Sequence, residues 1–535
     1  MLDMPPFTQS VYAPLVAMLP VLWLFVSLGV LKMSTPVACA AGLAMSAVLA
    51  VAGWGFTPVL AAKAFLDGAA FALMPILWVI FAALLTYSIA VETKAMDRIK
   101  DLLASVSRDR RIQALLIAWG FGGFMESVAG FGTAVAVPAA VLVSLGFAPF
   151  CAAVVCLLAN TVAVAFGVVG IPVITLAWIT DLPVTELSTR IVLQLTAFVF
   201  IVPIFIVTAV TGSVRGVAGV WVHALGAGAS FGVVQFIAAR YIGPEMPAIL
   251  GSLAAFATTA ALAKYLPPKQ IWTFAHDGEE SVLHGGETRA GGIRPREQTA
   301  GGARLDLAAQ LKAWSPYIVL LILVLASRMI GPVNALLAKA TSLHAIYDGP
   351  GGKPLAVAWL LTPGTLVLIA ALIGGRIQGA SFGAILRLSG KTARQMGKSV
   401  ITIVCIVALA KMLGYSGMVN TVAVALADVA GTFYPLVAPV LGMLGTFITG
   451  SDTSSNILFG QLQKQVALSI GVSPIWIAAA NTSGACIGKI ISLQSIAIAG
   501  ISANIAGREG ELLIVCVKYA LPFIVALGAL VFAVA

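Results

Sequence analysis

Two acids and one lysine interrupt long apolar stretches of this chain. Glu126 lies in Gly123-Phe124-Met125-Glu126-Ser127-Val128-Ala129-Gly130, Asp452 in Thr449-Gly450-Ser451-Asp452-Thr453-Ser454-Ser455-Asn456, and Lys489 in Gly488-Lys489-Ile490-Ile491. An ionisable group in such surroundings is costly and by default marks a functional site. Glu126, beside Met125 and Val128-Ala129, is the first candidate to bind and release a proton. Asp452, set among hydroxyl residues, either shares that role or organises its own turn. The plainer reading of each acid is a cap holding a turn. Lys489 requires a partner, either one of these acids or the carboxylate of a solute.

Small polar residues surround these charges in a pattern that is written twice. Ala159-Asn160-Thr161 recurs as Ala480-Asn481-Thr482, 321 residues later, while Phe124 and Phe447 are 323 apart and Pro149 and Pro474 are 325 apart. Asn160-Thr161 precedes Gly167, Gly170 and Pro172; Asn481-Thr482-Ser483-Gly484 precedes Gly488. Glycines at that density weaken a helix by up to ~1 kcal/mol each, so both stretches are expected to break. Membrane segments that break at matching places in two halves point to a transporter's binding site. Ser127 and Gly130 in the first copy, and Ser451, Thr453 and Ser454 in the second, complete the candidate solute ligands with the two Asn-Thr pairs, Ser483 and Lys489. Ordinary packing of small residues between membrane helices is the plain alternative. His223, alone in a Gly/Ala-rich span, reads as a packing histidine, and Lys411 as a weaker intramembrane candidate.

Enzyme chemistry lacks its usual residues. There is no His-Glu-x-x-His, no Walker A string, no dinucleotide glycine fingerprint in a strand context and no Ser/His/Asp grouping. Neither a cofactor, a metal nor a nucleotide-driven pump is expected.

The elements that must hold these residues are membrane helices. The chain has 535 residues, 60% hydrophobic and 10% charged, against about 25% charged in soluble proteins; its mean hydropathy is +1.03. The net charge of +10 resides in short loops, where it sets orientation rather than forming a nucleic-acid face. All six cysteines lie in apolar segments and read as packing residues. The opening Met1-Leu2-Asp3-Met4 has no basic run, so no cleavable signal is expected.

Twelve crossings are expected, at roughly 12–31, 35–53, 66–90, 148–178, 187–210, 216–238, 246–263, 313–331, 355–375, 397–420, 473–500 and 511–533. Two further apolar stretches, 111–147 and 435–470, are cut by the polar patches into arms of about 15 residues, too short to cross, and read as re-entrant helical hairpins. With both termini outside, the inside loops collect 21 of the 31 basic residues, which favours that orientation. Seven crossings then separate the repeats 60–212 and 384–535, so the second is inverted. Residues 1–59 form scaffold helices and 213–383 link the repeats, with a flexible cytoplasmic loop at 264–312. Segments 95–105 and 384–396 read as amphipathic surface helices. The fold expected is an all-α polytopic membrane protein with inverted repeats.

At these motifs the sequence resembles the L-lactate permease family of bacterial secondary transporters. The resemblance rests on Gly123 to Gly132, on Thr449 to Asn456, on Ala479-Ala480-Asn481-Thr482 and on Gly488-Lys489-Ile490-Ile491-Ser492 with Gln494-Ser495-Ile496-Ala497-Ile498-Ala499. It includes Ile242-Gly243-Pro244-Glu245-Met246-Pro247 between the repeats. The resemblance implies proton-coupled uptake of L-lactate, often also D-lactate and glycolate, across the bacterial inner membrane. It also implies paired re-entrant hairpins that in several related transporters move as an elevator against a scaffold. It gives no role to Lys411, His223 or 264–312, and none of these readings gives the oligomeric state. A sodium-coupled carboxylate carrier and a channel or exporter for a small solute are the alternatives.

Overall fold

The computed structural model describes residues 10–31, 33–130, 132–274, 307–350, 352, 354–505 and 508–535. The described residues are all-α apart from one short antiparallel hairpin, Thr341–His344 with Leu355–Ala358, which pairs Thr341 with Ala358 and His344 with Leu355. Among the described residues, eleven helices are long and apolar enough to cross a bilayer. The amphipathic helices fall at Ala95–Ser105 and Phe382–Gln395, as the sequence predicts.

Helix starts follow local chemistry. Pro occupies the first turn of Pro58–Phe71, Pro149–Ala159, Pro247–Tyr265, Pro363–Gln378 and Pro474–Ile491, where its missing N–H has no partner to lose. The side chains of Thr57, Ser381, Ser451 and Ser473 each accept from a backbone N–H in the first turn that follows. Met74, which precedes Pro75, takes extended dihedrals (φ −129°, ψ 112°) and kinks the rod that continues into Trp78–Glu92.

The two interrupted stretches fold as helical hairpins. In the first, Arg110–Ala114, Leu115–Phe121 and Gly122–Val128 run on without a break, so Glu126 belongs to the last turn of an arm rather than to the tip. Beyond Val128 the chain passes Gly130 and Gly132, both at positive φ, and returns as Thr133–Ser144. In the second, Tyr434–Thr449 turns at Gly450 (φ +71°) and Ser451 into Asp452–Ser469. Asp452 therefore opens the returning arm.

The broken spans part company with the repeat seen in sequence. The first breaks where expected: Pro149–Ala159 ends at Asn160, a short 3-10 turn covers Ala163–Phe166, and Val168, Val169 and Gly170 all have positive φ. Two valines in the left-handed region are disfavoured by sterics. A Cβ on Gly170 would overlap the Pro244 carbonyl and lie 3.1 Å from Glu245 N, so the Gly-Pro-Glu-Met-Pro segment packs directly on this turn. The second span does not break at Asn481. Pro474–Ile491 is one continuous helix, and the interruption comes at Ser492, before Leu493–Ser502. The glycines there serve close approach instead. A Cβ on Gly442, Gly484 or Gly488 would run into the carbonyls of Asn481, Pro439 and Met443, so Tyr434–Thr449 and Pro474–Ile491 touch backbone to backbone.

Other expectations need revision. The span expected at 397–420 is two helices, Gly397–Tyr415 and Met418–Ala430, and the one expected at 355–375 starts only at Pro363, the strand Leu355–Ala358 preceding it. The beginning of the 264–312 segment is held rather than free. Asp109 accepts from Arg111 N, Nε and Nη2 and from Trp272 N, and Arg111 donates to the carbonyls of Gly216 and Gln270, which bolts 270–272 to the base of the first hairpin. Residues 275–306 lie outside the described residues.

Candidate functional site

The four interruptions meet. A Cβ on Gly130 would overlap the Val168 side chain, one on Gly132 would overlap Ile498, and one on Gly450 would overlap Gln494. Both hairpin tips thus abut the turn of the first broken span or the helix that follows Ser492. At tip 1, Thr133 Oγ1 donates to Gly130 O at 2.7 Å. At tip 2, Ser451 Oγ accepts from Ser454 N at 3.2 Å, and Thr453 is half-buried on the same turn. Ser454 is buried beside it.

Three ionisable groups converge there, each from a different element. Glu126 (5% exposed), Asp452 (3%) and Lys489 (6%) are buried. Lys489 acts electrostatically on both carboxyls, and Glu126 acts on Asp452. Lys489 Nζ donates to the Gly450 carbonyl at 2.6 Å, which ties the ammonium to tip 2. The Glu126 carboxyl lies against the first broken span, where a Cβ on Gly167 would be 2.9 Å from its Oε1. Asn160 faces the same carboxyl. Cys486 Sγ sits 3.9 Å from Asp452 Oδ2 and beside the Ala165 backbone.

Several polar atoms of this centre are buried and unpartnered: Glu126 Oε2, Asp452 Oδ1, and both Oδ1 and Nδ2 of Asn160. Buried polar atoms ordinarily find partners, and those that do not call for an explanation. Here they are contributed by three elements to one place, and together they can accept a proton, donate to a carboxylate oxygen and receive a hydroxyl.

The matching residues of the second copy are engaged otherwise. Asn481 Nδ2 and Thr482 Oγ1 both donate to Asn456 Oδ1 at 2.9 Å, and Asn456 Nδ2 reaches the Pro172 carbonyl at 3.2 Å. Asn481 Oδ1 accepts from Gln463 Nε2 (3.1 Å), Gln463 Oε1 accepts from the Tyr434 hydroxyl (2.8 Å), and Ser483 Oγ donates to Gln194 Oε1 (2.8 Å). The structure thus brings Glu126, Asn160, Asp452 and Lys489 together and ties Asn481, Thr482 and Ser483 into a buried brace. Ser127 donates to Gly123 O of its own helix, and Thr161 to Leu158 O at the end of the helix before it.

Sequence reasoning passed over Cys486, Gln194, Gln463 and Tyr434, polar residues with no charge to flag them. It also left Lys411 without a partner. Lys411 Nζ is 3.0 Å from Asp67 Oδ2, which also accepts from the Tyr415 hydroxyl at 2.8 Å. His223 packs toward the Leu262 backbone of the neighbouring helix, in keeping with a packing role.

Eleven bilayer-length apolar helices among the described residues, around a buried polar centre, define a multi-pass membrane protein. The chain belongs to the L-lactate permease family, whose family model matches residues 13–535. It is 38% identical to the L-lactate permease of Streptococcus iniae, over 89% of this chain and 95% of that protein. It is 34% identical to the L-lactate permease of Bacillus subtilis, over 95% and 93%, and 35% identical to the glycolate permease GlcA of Escherichia coli, over 96% and 94%. The crystal structure of the YdaH transporter of Alcanivorax borkumensis is a distant likeness, at 16% identity and a TM-score of 0.33 over 78% of this chain and 84% of that one.

Proposed function

We propose that this protein is a secondary transporter that takes up L-lactate and related small 2-hydroxy monocarboxylates, D-lactate and glycolate among them, together with a proton across the bacterial inner membrane. Relatives named for lactate and for glycolate support the substrate class. The observation that carries the mechanism is the set of unpartnered polar atoms on Glu126, Asn160 and Asp452 beside Lys489. The substrate carboxylate would lie between Lys489 and the Asn160 amide, the 2-hydroxyl on a carboxyl oxygen, and the proton on the Glu126–Asp452 pair. Tip backbone at Gly130 and the turn Ser451-Asp452-Thr453-Ser454 would close over it.

The architecture we propose for this work is two inverted repeats, 60–212 and 384–535, whose hairpins re-enter the bilayer from opposite sides, with 1–59 and 213–383 as scaffold and connection and both termini outside. One anion moving with one proton carries no net charge, so the pH gradient drives it. The test is uptake of labelled L-lactate into sodium-free proteoliposomes with and without an inward proton gradient. Accumulation that collapses with a protonophore and is competed by glycolate is the expected result. Accumulation that requires sodium at fixed pH, or flux that never concentrates lactate, would refute proton symport.

A further inference from the structure

We propose that Glu126 and Asp452 work as one proton-sharing pair that carries a single proton when the site is empty and two when a monoanion is bound, with Lys489 as the only positive charge in the centre. This rests on the proton-symport reading and adds its stoichiometry, its redundancy and its charge selectivity.

The groups that face the centre limit the possibilities. The first hairpin contributes Glu126, the second Asp452, and Pro474–Ile491 contributes Lys489 and the Cys486 thiol. From the first broken span come the Asn160 amide and the backbone near Ala165, and from Leu493–Ser502 the neutral Gln494 against Gly450. Moving an unbalanced charge through a low-dielectric interior costs several kcal/mol even after relaxation, so the centre crosses the membrane neutral. With both carboxyls ionised, one ammonium leaves a negative charge over; a single proton shared by the pair removes it. A bound lactate anion adds a negative charge, and a second proton on the other carboxyl removes that one. Asp452 lies 3.9 Å from Cys486 Sγ, which sits beside the Ala165 backbone, and Glu126 lies against Gly167 two residues on, so both carboxyls flank the same turn and either can hold the transported proton.

Three consequences separate this from a single proton carrier. Replacing one carboxyl by its amide leaves an empty centre that is neutral with the other ionised, and binding of lactate still brings in one proton. Replacing both leaves only Lys489, which pairs with lactate without any proton; the empty carrier must then return with one positive charge, against the cost of that unbalanced charge and therefore slowly. A dicarboxylate dianion keeps an unbalanced charge even with both carboxyls protonated and is excluded.

The experiment compares wild type, E126Q, D452N and E126Q/D452N in proteoliposomes, with lactate exchange as the readout of an intact site. Wild type is expected to accumulate L-lactate about tenfold per imposed pH unit. Each single variant is expected to run more slowly and reach the same ratio. The double variant is expected to ignore pH and to follow an inside-positive potential, by roughly fiftyfold at about 100 mV. A single variant that exchanges lactate yet no longer accumulates it with the pH gradient overturns the shared pair, as does a double variant still driven by pH. Failure of wild type to accumulate refutes the symport reading itself. Should the double variant fail to fold, wild type decides: malonate, close to lactate in size, is expected to exchange for internal lactate only as acidification converts it to its monoanion. Exchange of lactate for the malonate dianion overturns the proposal.

Discussion

Asn160 and Asn481 occupy the same place in a repeated triplet, and replacing each by alanine is expected to have opposite effects. In the Asn160→Ala variant no well-formed hydrogen bond of the protein is lost, only the looser contact of the amide with the Glu126 carboxyl. Stability is therefore expected to hold or rise slightly. What goes is a bond to a charged substrate, about 1.5–3 kcal/mol, equivalent to a rise of roughly 10- to 150-fold in KM for L-lactate. In the Asn481→Ala variant two buried bonds disappear, one to Asn456 and one from Gln463. Asn456 Oδ1 keeps Thr482 and Gln463 Nε2 keeps the Ala438 carbonyl, so neither is orphaned and the loss is about 2–3 kcal/mol, cavity included. The KM of the surviving folded fraction should change little. The assay is thermal unfolding of the purified protein alongside lactate-dependent initial rates in proteoliposomes. Equal destabilisation of the two variants, or a wild-type KM in Asn160→Ala, would refute the division of labour drawn here.

Two further expectations follow from the packing. Gly442→Val sets a branched side chain against the Asn481 carbonyl, where nothing flexible can yield; loss of folded protein on size exclusion is expected, and a stable, active Gly442→Val would contradict the backbone contact. Lys411→Met leaves Asp67 with only the Tyr415 hydroxyl; because Lys411 is 25% exposed, destabilisation by roughly 1–3 kcal/mol is expected. The Asp67→Asn/Lys411→Met double variant should recover most of that loss in thermal unfolding, and equal losses in the single and double variants would argue against a paired role.

Composition and apolar length made the polytopic helical fold legible, and the two amphipathic helices were readable because charge and apolar residues alternate at helical spacing. The first break was legible because Asn160 precedes a run in which Gly167 and Gly170 meet Pro172. The same signs misled at Asn481. Local propensity there is weak, yet Gly484 and Gly488 lie one turn apart on the face that meets Pro439 and Met443, and tertiary contact keeps the helix intact through them. Sequence also gave no means of joining Asp67 to Lys411, 344 residues away, nor of seeing Tyr434, Gln463 and Gln194 as parts of one network, since neutral polar residues in apolar spans carry no positional signal. The acids and Lys489 stood out because charge in such surroundings is rare enough to notice.

The unequal fate of the two triplets suits a carrier whose substrate is itself unsymmetrical. The two copies of the motif present two Asn-Thr pairs, but lactate, the substrate proposed above, has a single carboxylate and needs only one cradle. The copy left open is the one whose span unwinds beside Glu126, where Val168 and Val169 adopt a left-handed turn and the Asn160 amide loses the helical surroundings that could have satisfied it. The copy that stays helical puts its asparagine to use between the arms of the second hairpin, joining Asn456 and Gln463 on the returning arm to Pro474–Ile491. That brace fixes Cys486 and Lys489 relative to Asp452, five and eight residues along the same helix from Asn481. A rigid second half thus holds the lysine and one carboxyl at set positions, while the unwound first half supplies the other carboxyl and the free amide. A ligand can close the centre between the two, because Glu126 Oε2 and the Asn160 amide of the first half and Asp452 Oδ1 of the second are still to be satisfied.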